Sequence, residues 1–508
     1  GGVTDGAGPT DGLAITALGR AMLTFPVAPR FAKMLVLALR RPDSAAARAR
    51  MLSLVIAVVA ALSVHAPFVQ PSFPKAIKVA KTAGADAGAG AGSGSDESDE
   101  DSDEEAAAAR DADRKWVRDF LAEEGVEVAS AETEDEKERL RRREICNRAR
   151  QSHAAWRNHL SDALSLLRVL GAFAHAVRER PSAPGPAHAF CRQHFLHAKA
   201  MREAHQLRVQ LTLVANRSAH VQQPLPSPAM PAGCPLSPPS RAEETLLRQI
   251  LTAGLLDHVA RIDWEAVAGP DGVLEKRRDG RLRRARINFV PYRSCNPTVG
   301  GPVFVHPNSF VPGRKLDEAP EFVAYTEIVH GKRPYMRGVT VVDPSWLPTL
   351  AAGTPMCQLS DPLPSPSPEF DRARDTIMCY VRPHYGPHRW ELPLYKVPYP
   401  TTSRVRFQWF ACFLLQGGVL PRLARLQDLL LIPPTAAVKD VPHIKTVDLV
   451  HELATKGIDS RARLRARLVQ DGRPLRAAVM KLAASGRRQE VAALWDTAAA
   501  EEVVAAEH

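Results

Sequence analysis

The sequence lacks the cysteine pattern of a disulfide-bonded or zinc-binding protein. Its seven cysteines are dispersed along 508 residues, and no two of them form a CxxC pair. An odd and scattered set is typical of reduced intracellular thiols. One continuous helix through Cys191-x-x-His194-x-x-His197 would offer three ligands, but no fourth lies nearby, and a structural zinc site takes four. The sequence therefore predicts neither a disulfide framework nor a metal site.

No apolar run reaches the length of a bilayer span. The apolar segment Met51–Val64 has 14 residues before His65 and Pro67 interrupt it, whereas a membrane-spanning helix needs about 20. The chain also lacks the basic start and early apolar core of a signal peptide. We expect a buried helix at this segment and no membrane partner.

Two kinds of catalytic motif are missing as well. No GxxxxGK[ST] loop is present, so the chain has no Gly-rich loop with a lysine to hold nucleotide phosphates. No Ser/His/Asp arrangement rises above chance, and the pair Glu203/His205 has no nucleophile beside it. These absences favour a binding role over catalysis by this chain alone.

The charge of the chain indicates an anionic partner. The formal net charge is +11 and the sequence pI is about 9.4. An acidic tract at Ser95–Glu105 dilutes this value, so the remainder is more basic than the total. The length fits about three structural units, and 42 prolines are too many for one compact domain, which predicts linkers.

The segment from Pro302 to Trp346 carries the most informative pattern. It predicts three short strands, Val303–His306, Phe322–Val329 and Tyr335–Val342, separated by turn signals. The first strand leads into His-Pro-Asn-Ser, and the last leads into Asp-Pro-Ser-Trp-Leu. This order resembles the oligonucleotide-binding (OB) fold of DEAH-box RNA helicases, in which the turn reads His-Pro-Ser-Ser and the later strands read Val-Tyr-x-Glu and Tyr-Met-Arg-x-Val-Thr.

A second family phrase lies near the start of the sequence. The stretch 18–35 reads Leu-Gly-x-x-Met-x-x-Phe-Pro-x-x-Pro-Arg-x-x-Lys-Met-Leu, which resembles the helicase-associated region that follows the motor in the same family. Helical patterns at 156–173, 190–211 and 246–262 resemble the later helices of that region. The phrase Phe410–Val419 resembles the tail of the family member that acts in small-subunit ribosome assembly.

Together these patterns predict a mixed α+β fold. A ratchet-like helicase-associated bundle is followed by a five-stranded OB-fold barrel and a helical C-terminal domain, with a disordered acidic insertion. The predicted divisions are 1–75 (end of a winged helix and first part of the bundle), 76–145 (disordered acidic and charged insertion, with a charged helix expected after the acidic tract), 146–265 (remainder of the bundle with a Pro-rich linker), 266–400 (OB fold and a following β-rich segment) and 401–508 (helical C-terminal domain).

Basic and aromatic residues of the OB region are the candidate nucleic-acid contacts. The alternating arginines of 276–293 predict phosphate contacts beside a strand, the alternative being a solvated loop. The resemblance assigns the His-Pro-Asn-Ser turn to phosphate contact. Tyr335 is a candidate stacking residue, with a core position as an equal alternative. The predicted RNA-binding residues are Arg281, Arg283, Arg284, Arg286, His306, Asn308, Ser309, Tyr335 and Arg337.

The resemblance implies an ATP-dependent helicase that remodels pre-ribosomal RNA and removes small nucleolar RNA. Its expected partners are single-stranded RNA, ribosome assembly factors and a helicase activator, and its expected location is the nucleolus within the nucleus. The Asp-Glu-Ala-His box and the Gln-Arg-x-Gly-Arg motif are absent, so we expect no ATP hydrolysis by this chain alone. ATP and Mg²⁺ are implied only for the intact family member, and no cofactor is expected in this chain.

Several alternatives stay open at the level of sequence. The chain begins near the end of the family's motor, which fits a truncated gene model, a fragment or a naturally split product. It could stand alone as a non-enzymatic RNA- and protein-binding assembly factor, act as a pure protein scaffold, or derive from a pre-mRNA splicing DEAH helicase. Motor motifs upstream of Gly1 would decide for the helicase.

Overall fold

The computed structural model of the chain divides into two compact units, Gly1–Trp346 and Leu347–His508. It describes residues 15–64, 66–69, 112–113, 115–117, 119–120, 134–179, 185–217, 236–268, 274–276, 282–284, 289–331, 333–439, 443–471 and 474–507. The acidic tract Ser95–Glu105, for which disorder is predicted, lies outside these residues. The predicted domain boundaries stay predictions, and each unit is described by itself.

The first unit begins with a helical bundle. Its helices are α1 (Ala17–Met22), α2 (Pro29–Leu39), α3 (Ala45–Leu62), α4 (Glu134–Ala154), α5 (Asp162–Glu179), α6 (Pro186–Gln193), α7 (Ala198–Arg217) and α8 (Arg241–Gly254). Local signals set several of their ends. Pro29 opens α2, where a missing N–H costs nothing, and Ser240 and Glu243 form a reciprocal capping box at the start of α8.

Helix α3 is the centre of the bundle. Its part from Met51 onward is apolar on nearly all sides, and ten residues between Met51 and Ala61 are buried. It packs against α2, α5 and α7. Within the described ranges it is the one helix long and apolar enough to cross a membrane by length and composition. The predicted buried helix is confirmed, although it starts at Ala45, where the Ser44 hydroxyl accepts the N–H of Ala47.

The end of the predicted charged insertion packs on this bundle. Helix α4 starts at Glu134, which confirms the predicted charged helix. Trp116 and Phe120 stack with a centroid distance of 5.0 Å, and each ring lies 5.3 Å from Phe195. These described residues of the predicted insertion therefore contribute side chains to the packing around Phe195.

A sheet of short strands follows the bundle. The strands of the first unit are β1 (Val259–Ile262), β2 (Leu274–Lys276), β3 (Leu282–Arg284), β4 (Pro291–Ser294), β5 (Pro302–Val305), β6 (Phe322–Ala324), β7 (Glu327–Val329), β8 (Tyr335–Arg337) and β9 (Thr340–Val341), with the short helix α9 (Trp264–Ala268) after β1. Strands β2 and β3 form a separate hairpin, and the other seven form one sheet in the order β7-β8-β5-β4-β1-β6-β9.

These seven strands are five runs of chain that close into a barrel. The run 322–329 is interrupted between β6 and β7, and the run 335–341 is interrupted at Gly338, whose φ is +60°. The two runs pair with each other at both ends of the sheet, β7 with β8 and β6 with β9. The chain of neighbours therefore returns on itself, which confirms the predicted five-stranded OB-fold barrel. Strands β5 and β8 are parallel, while the other pairs are antiparallel.

The second unit combines two small sheets with a helical domain. Its elements are α10 (Leu347–Leu350), β10 (Cys357–Leu359), β11 (Glu369–Asp371), β12 (Thr376–Val381), β13 (Pro383–Tyr385), β14 (Trp390–Glu391), β15 (Tyr395–Pro398), α11 (Val405–Leu415), α12 (Ile444–Lys456), α13 (Arg461–Asp471), α14 (Arg476–Lys481) and α15 (Arg488–Glu507). The sheets have the orders β10-β13-β14 and β11-β12-β15. Leucines of the helices and Trp495 form the core of this unit.

A candidate RNA-binding platform on the OB barrel

Strand alternation places a group of aromatic rings on the outer face of the barrel. Val303 and Val305 of β5 are buried in the barrel core, so Phe304 between them points outward. The same alternation applies to Tyr335 of β8 beside buried Met336, whereas Phe289 lies just before β4, next to buried Val290. Because Phe304 is the register partner of Tyr335, the rings come together across neighbouring strands.

Tyr335 is the centre of this aromatic group. Its ring centroid lies 6.1 Å from that of Phe289 and 6.5 Å from that of Phe304. The His306 ring meets it edge-on at 5.6 Å. All three large rings are partly exposed, so they offer apolar surface to a ligand. Tyr335 could be a stacking residue or a core residue by sequence, and the structure places it outside the barrel core.

Three arginines complete the group. The Arg333 guanidinium lies 4.9 Å from the Phe304 ring centroid and 5.8 Å from that of Phe289, and Arg314 lies 5.6 Å from the Phe289 centroid. Among the described residues neither Arg314 nor Arg333 has an acidic partner within ion-pair distance. Arg337 has Glu327 at 3.8 Å. We call Phe289, Phe304, Tyr335, Arg314, Arg333 and Arg337 the aromatic–arginine platform.

The platform combines two kinds of affinity for nucleic acid. Exposed aromatic faces stack on bases with little regard to sequence, and guanidinium groups bind phosphates. Arginines that rest on aromatic rings can also move to stack on a base. The arrangement can therefore hold a strand through both its bases and its backbone.

The predicted turn beside the platform is engaged in internal contacts. The Asn308 N–H donates to His306 Nδ1 over 3.2 Å, and the Asn308 side chain is exposed. The Ser309 hydroxyl donates to both oxygens of Asp162, at 2.9 and 2.8 Å. Ser309 therefore holds the turn to helix α5, and its predicted contact with a phosphate stays a prediction. Asn308 is the exposed polar side chain of this turn.

His306 is a neutral neighbour of the platform. Burial lowers the pKa of His306 to about 4, and the positive charge of Arg337 adds to this shift. The imidazole is therefore uncharged at neutral pH and supports the edge of Tyr335 without attracting phosphate. Protonation favours the unfolded state, in which the pKa is about 6.5.

A pH titration tests this environment. The stability that neutral His306 contributes is complete above pH 6.5 and is lost as the pH falls from 6.5 towards 4. Between pH 7 and 5 we expect this residue to account for a loss of about 1–2 kcal/mol in the free energy of unfolding. The variant His306→Gln, measured by urea unfolding at both pH values, should show a correspondingly smaller loss. An identical loss in parent and variant would contradict this role.

The four predicted arginines of 276–293 lie on or beside the β2–β3 hairpin. Arg283 and Arg284 belong to strand β3, in which Arg283 is the register partner of Glu275. Arg281 and Arg286 lie outside the described residues. The structure thus gives the strand positions of two of these arginines, and their role in binding stays a prediction.

Sequence reasoning missed four members of the platform, Phe289, Phe304, Arg314 and Arg333. Strict alternation in Val303-Phe304-Val305 could have identified Phe304 as an outward ring. The other three flank strands, and only the closure of the barrel brings them to the same face. Their sequence positions alone carry no comparable signal.

Cys191, His194 and His197 do not lie on one continuous helix, in contrast to the helix predicted over 190–211. Helix α6 ends at Gln193, and Phe195 has a φ of +53°, so the chain turns between the two histidines. The His194 ring packs 4.5 Å from that of Phe190, and His197 Nε2 lies 2.8 Å from Asp113. Burial raises the pKa of the Cys191 thiol to about 12. Each group has its own structural contact, and the described ranges contain no set of three side chains that could hold a metal ion.

Comparisons with known proteins agree with this architecture. The family described as helicase associated domain (HA2), ratchet-like, matches residues 28–166. The family described as oligonucleotide/oligosaccharide-binding (OB)-fold matches residues 247–353, which include the barrel and the platform.

Curated relatives match over most of the chain. A human protein named probable ATP-dependent RNA helicase DHX37 is 29% identical over 447 residues, covering 88% of this chain and 30% of that protein. The Drosophila melanogaster protein named probable ATP-dependent RNA helicase kurz is 28% identical over 461 residues, covering 89% and 30%. An Arabidopsis thaliana protein named ATP-dependent RNA helicase DEAH13 is 33% identical over 257 residues, covering 50% and 18%. The chain spans at most 30% of the length of these three relatives.

Proposed function

Because this chain belongs to the DEAH-box RNA helicases, whose helicase-associated and OB domains it carries, we propose that it is the RNA-guiding part of such an enzyme. The observation that carries this proposal is the aromatic–arginine platform, in which three partly exposed rings and three arginines share one face of the barrel. Single-stranded RNA is the ligand that this chemistry fits, because its unpaired bases are free to stack.

The residues of this chain do not fit the nucleotide cofactor of the family. No GxxxxGK[ST] loop is present in the sequence, so no Gly-rich backbone loop and lysine are available to hold the phosphates of ATP. We propose that ATP and Mg²⁺ bind only to the motor of an intact helicase. The platform's contribution is to bind and orient the strand.

Binding of a labelled strand tests the role of the platform. We expect Phe304→Ala to weaken the affinity for a fluorescein-labelled single-stranded RNA of about 12 nucleotides by about tenfold, since stacking contributes about 1–3 kcal/mol per base. Arg333→Gln should weaken binding and reduce the slope of log K against log salt by about 0.7, the value for one phosphate contact. Fluorescence anisotropy across a salt series measures both quantities.

A matched variant controls for the loss of charge. Arg382 is an exposed arginine of the second unit that pairs with Glu391, and Arg382→Gln removes the same charge far along the chain from the platform. We expect it to keep the affinity of the parent within about twofold. Platform variants that bind as tightly as Arg382→Gln would overturn the proposal.

At a finer level, we propose that the RNA is pre-ribosomal RNA together with small nucleolar RNA, handled in the nucleolus with assembly factors and a helicase activator. The support is the match over 88% of this chain to the human relative and the basic overall charge. Cross-linking of the endogenous protein to RNA, followed by sequencing, should recover small-subunit precursor RNA. Recovery of unrelated transcripts alone would contradict this assignment.

The size of the endogenous protein separates the helicase from a stand-alone RNA- and protein-binding assembly factor. An antibody against the C-terminal helices should detect a protein far larger than 55.4 kDa if a motor belongs to the same polypeptide. A single band at 55.4 kDa would instead favour the motorless factor. RNA binding by the platform is expected in either case.

A further inference from the structure

The carboxylate of Asp162 holds two segments of the barrel at once. It is the first residue of helix α5, yet its partners lie far along the chain. Oδ1 accepts the N–H of Phe310 at 2.8 Å, and Oδ2 accepts the N–H of Val339 at 2.9 Å. The Ser309 hydroxyl donates to both oxygens. One side chain of the bundle therefore satisfies donors from two separate turns.

Those two turns follow the strands that carry the platform. The turn 306–310 follows β5, which contains Phe304, and Val339 lies just past β8, which contains Tyr335 and Arg337. The two strands are parallel neighbours, with Phe304 in register with Tyr335 and the His306 N–H donating to the Met336 carbonyl over 3.1 Å. Asp162 thus lies where the ends of both strands meet.

Two further contacts beside Asp162 join helix α5 to the barrel at Val339 and Thr340, and neither involves the turn 306–310. The Asp162 N–H donates to the Val339 carbonyl at 2.9 Å. The hydroxyls of Ser161 and Thr340 lie 2.8 Å apart, and both residues are buried. Helix α5 is therefore joined to the barrel by a short antiparallel bridge between Ser161 and Thr340. The Asp162 carboxylate adds a hydrogen-bonded contact to the turn after β5, where the Phe310 ring also packs edge-on against Phe68 at 5.2 Å.

From this geometry we propose that Asp162 is a positioning residue for RNA binding. It fixes the ends of β5 and β8 relative to each other, and thereby the spacing of the rings and arginines on the platform. The inference rests on the proposed RNA-binding function. In this proposal the helical bundle determines the geometry of the RNA site through the first turn of helix α5.

Asp162→Asn is a sharp test because it keeps the size and shape of the side chain. The two oxygens each accept one backbone N–H, so either orientation of the amide places its NH₂ group against one of these donors. The substitution also removes a negative charge, which by itself would favour RNA. A loss of affinity would therefore run against the electrostatic expectation.

We expect Asp162→Asn to weaken the affinity for the labelled single-stranded RNA by about tenfold, comparable to the loss of one stacked base. The control Thr340→Val is nearly isosteric and uncharged, and it breaks the neighbouring hydroxyl contact with Ser161. It should lower the melting temperature while changing RNA affinity by less than about twofold. Both variants are measured at a temperature at which circular dichroism shows them folded.

The outcomes separate this inference from the proposed function. If Phe304→Ala loses affinity while Asp162→Asn binds like the parent, the positioning role is overturned and RNA binding by the platform stands. If neither variant loses affinity, the proposed function fails as well. Equal losses in Asp162→Asn and Thr340→Val would also overturn the positioning role, because a general loosening of the bundle–barrel contact would then suffice.

A second variant covers the case in which Asp162→Asn does not fold. Ser309→Ala removes the hydroxyl contact and leaves both backbone N–H groups bonded to the carboxylate. We expect about threefold weaker RNA binding with an unchanged salt slope, since the loss of one hydrogen bond moves the turn without removing a phosphate contact. Parent affinity in this variant would overturn the inference.

Discussion

Replacing Gly338 with alanine is expected to lower the free energy of unfolding of the barrel-containing unit by about 3 kcal/mol. Gly338 has a φ of +60°, a conformation that costs an L-residue about 1–2 kcal/mol. A Cβ at this position would lie 2.3 Å from the Thr326 hydroxyl oxygen and 2.8 Å from its methyl carbon. Urea unfolding monitored by circular dichroism measures the change.

This glycine matters because the barrel closes beside it. Thr326 donates both its N–H and its hydroxyl to the Arg337 carbonyl, each at 3.0 Å, where the two interrupted runs of chain meet. Thr326 cannot withdraw from a new Cβ without breaking these bonds. The closure of the barrel and the position of Arg337, the third arginine of the platform, therefore both require that residue 338 has no side chain.

Gly457→Ala, in the second unit, serves as the control for the backbone conformation alone. Gly457 has nearly the same φ, +66°, but a Cβ there would meet no atom within 4 Å. We expect this variant to lose about 1 kcal/mol, so the difference between the two variants isolates the clash with Thr326. Equal losses would show that the close approach has no energetic consequence.

Replacing Glu502 with glutamine is expected to lower the free energy of unfolding of the second unit by about 2–3 kcal/mol. Glu502 is 6% exposed, and its carboxylate accepts hydrogen bonds from the guanidinium groups of both Arg461 and Arg465. Glutamine keeps the shape but removes the negative charge that pairs with both guanidinium groups. The arginines are partly exposed, so water screens them and the expected loss lies below that of a fully buried pair.

The neighbouring residue provides the matched control. Glu501 pairs with Arg422 at the surface, where both side chains are well exposed. Glu501→Gln should therefore change stability by less than about 1 kcal/mol. If both variants show the same small change by thermal or urea unfolding, burial of the Glu502 pair contributes nothing.

The contact of Glu502 with the two arginines also makes the stability of the second unit depend on pH in the acid range. Burial acts to raise the pKa of Glu502, but the hydrogen bonds and charges of Arg461 and Arg465 outweigh it and hold the pKa below the ordinary 4.5. The stabilisation is therefore present above pH 4.5 and is lost as the pH falls through the lower folded value. Glu502→Gln should abolish this part of the acid sensitivity.

The sequence was sufficient for features that repeat or that are local. Apolar residues on every side of Met51–Ala61 predict a central helix, and the turn signals between Phe322 and Val342 predict strands in the correct order. The sequence pattern does not predict that the two strand runs are interrupted at Thr326 and Gly338, because a break in strand pairing depends on how the barrel closes. The helix expected through Cys191 and His197 ends early because of the turn at Phe195.

In the candidate site, too, some features follow from local sequence patterns and others depend on the folded chain. The outward direction of Phe304 and Tyr335 follows from alternation with buried neighbours, and it could be predicted from the sequence. The contact between Ser309 and Asp162 joins residues 147 positions apart, and no local sequence pattern predicts it. The bond between the Ser309 hydroxyl and the Asp162 carboxylate therefore becomes visible only in the folded chain.

The most direct test of the central claim is to find where RNA touches the protein. Single-stranded RNA containing 4-thiouridine, cross-linked to this chain by ultraviolet light and mapped by mass spectrometry, reports contacts without any substitution. Cross-links at Phe289, Phe304 or Tyr335 are the result that the platform predicts. Efficient cross-linking that maps only to other segments, with none of these three residues modified, would contradict the claim that the aromatic–arginine platform binds RNA.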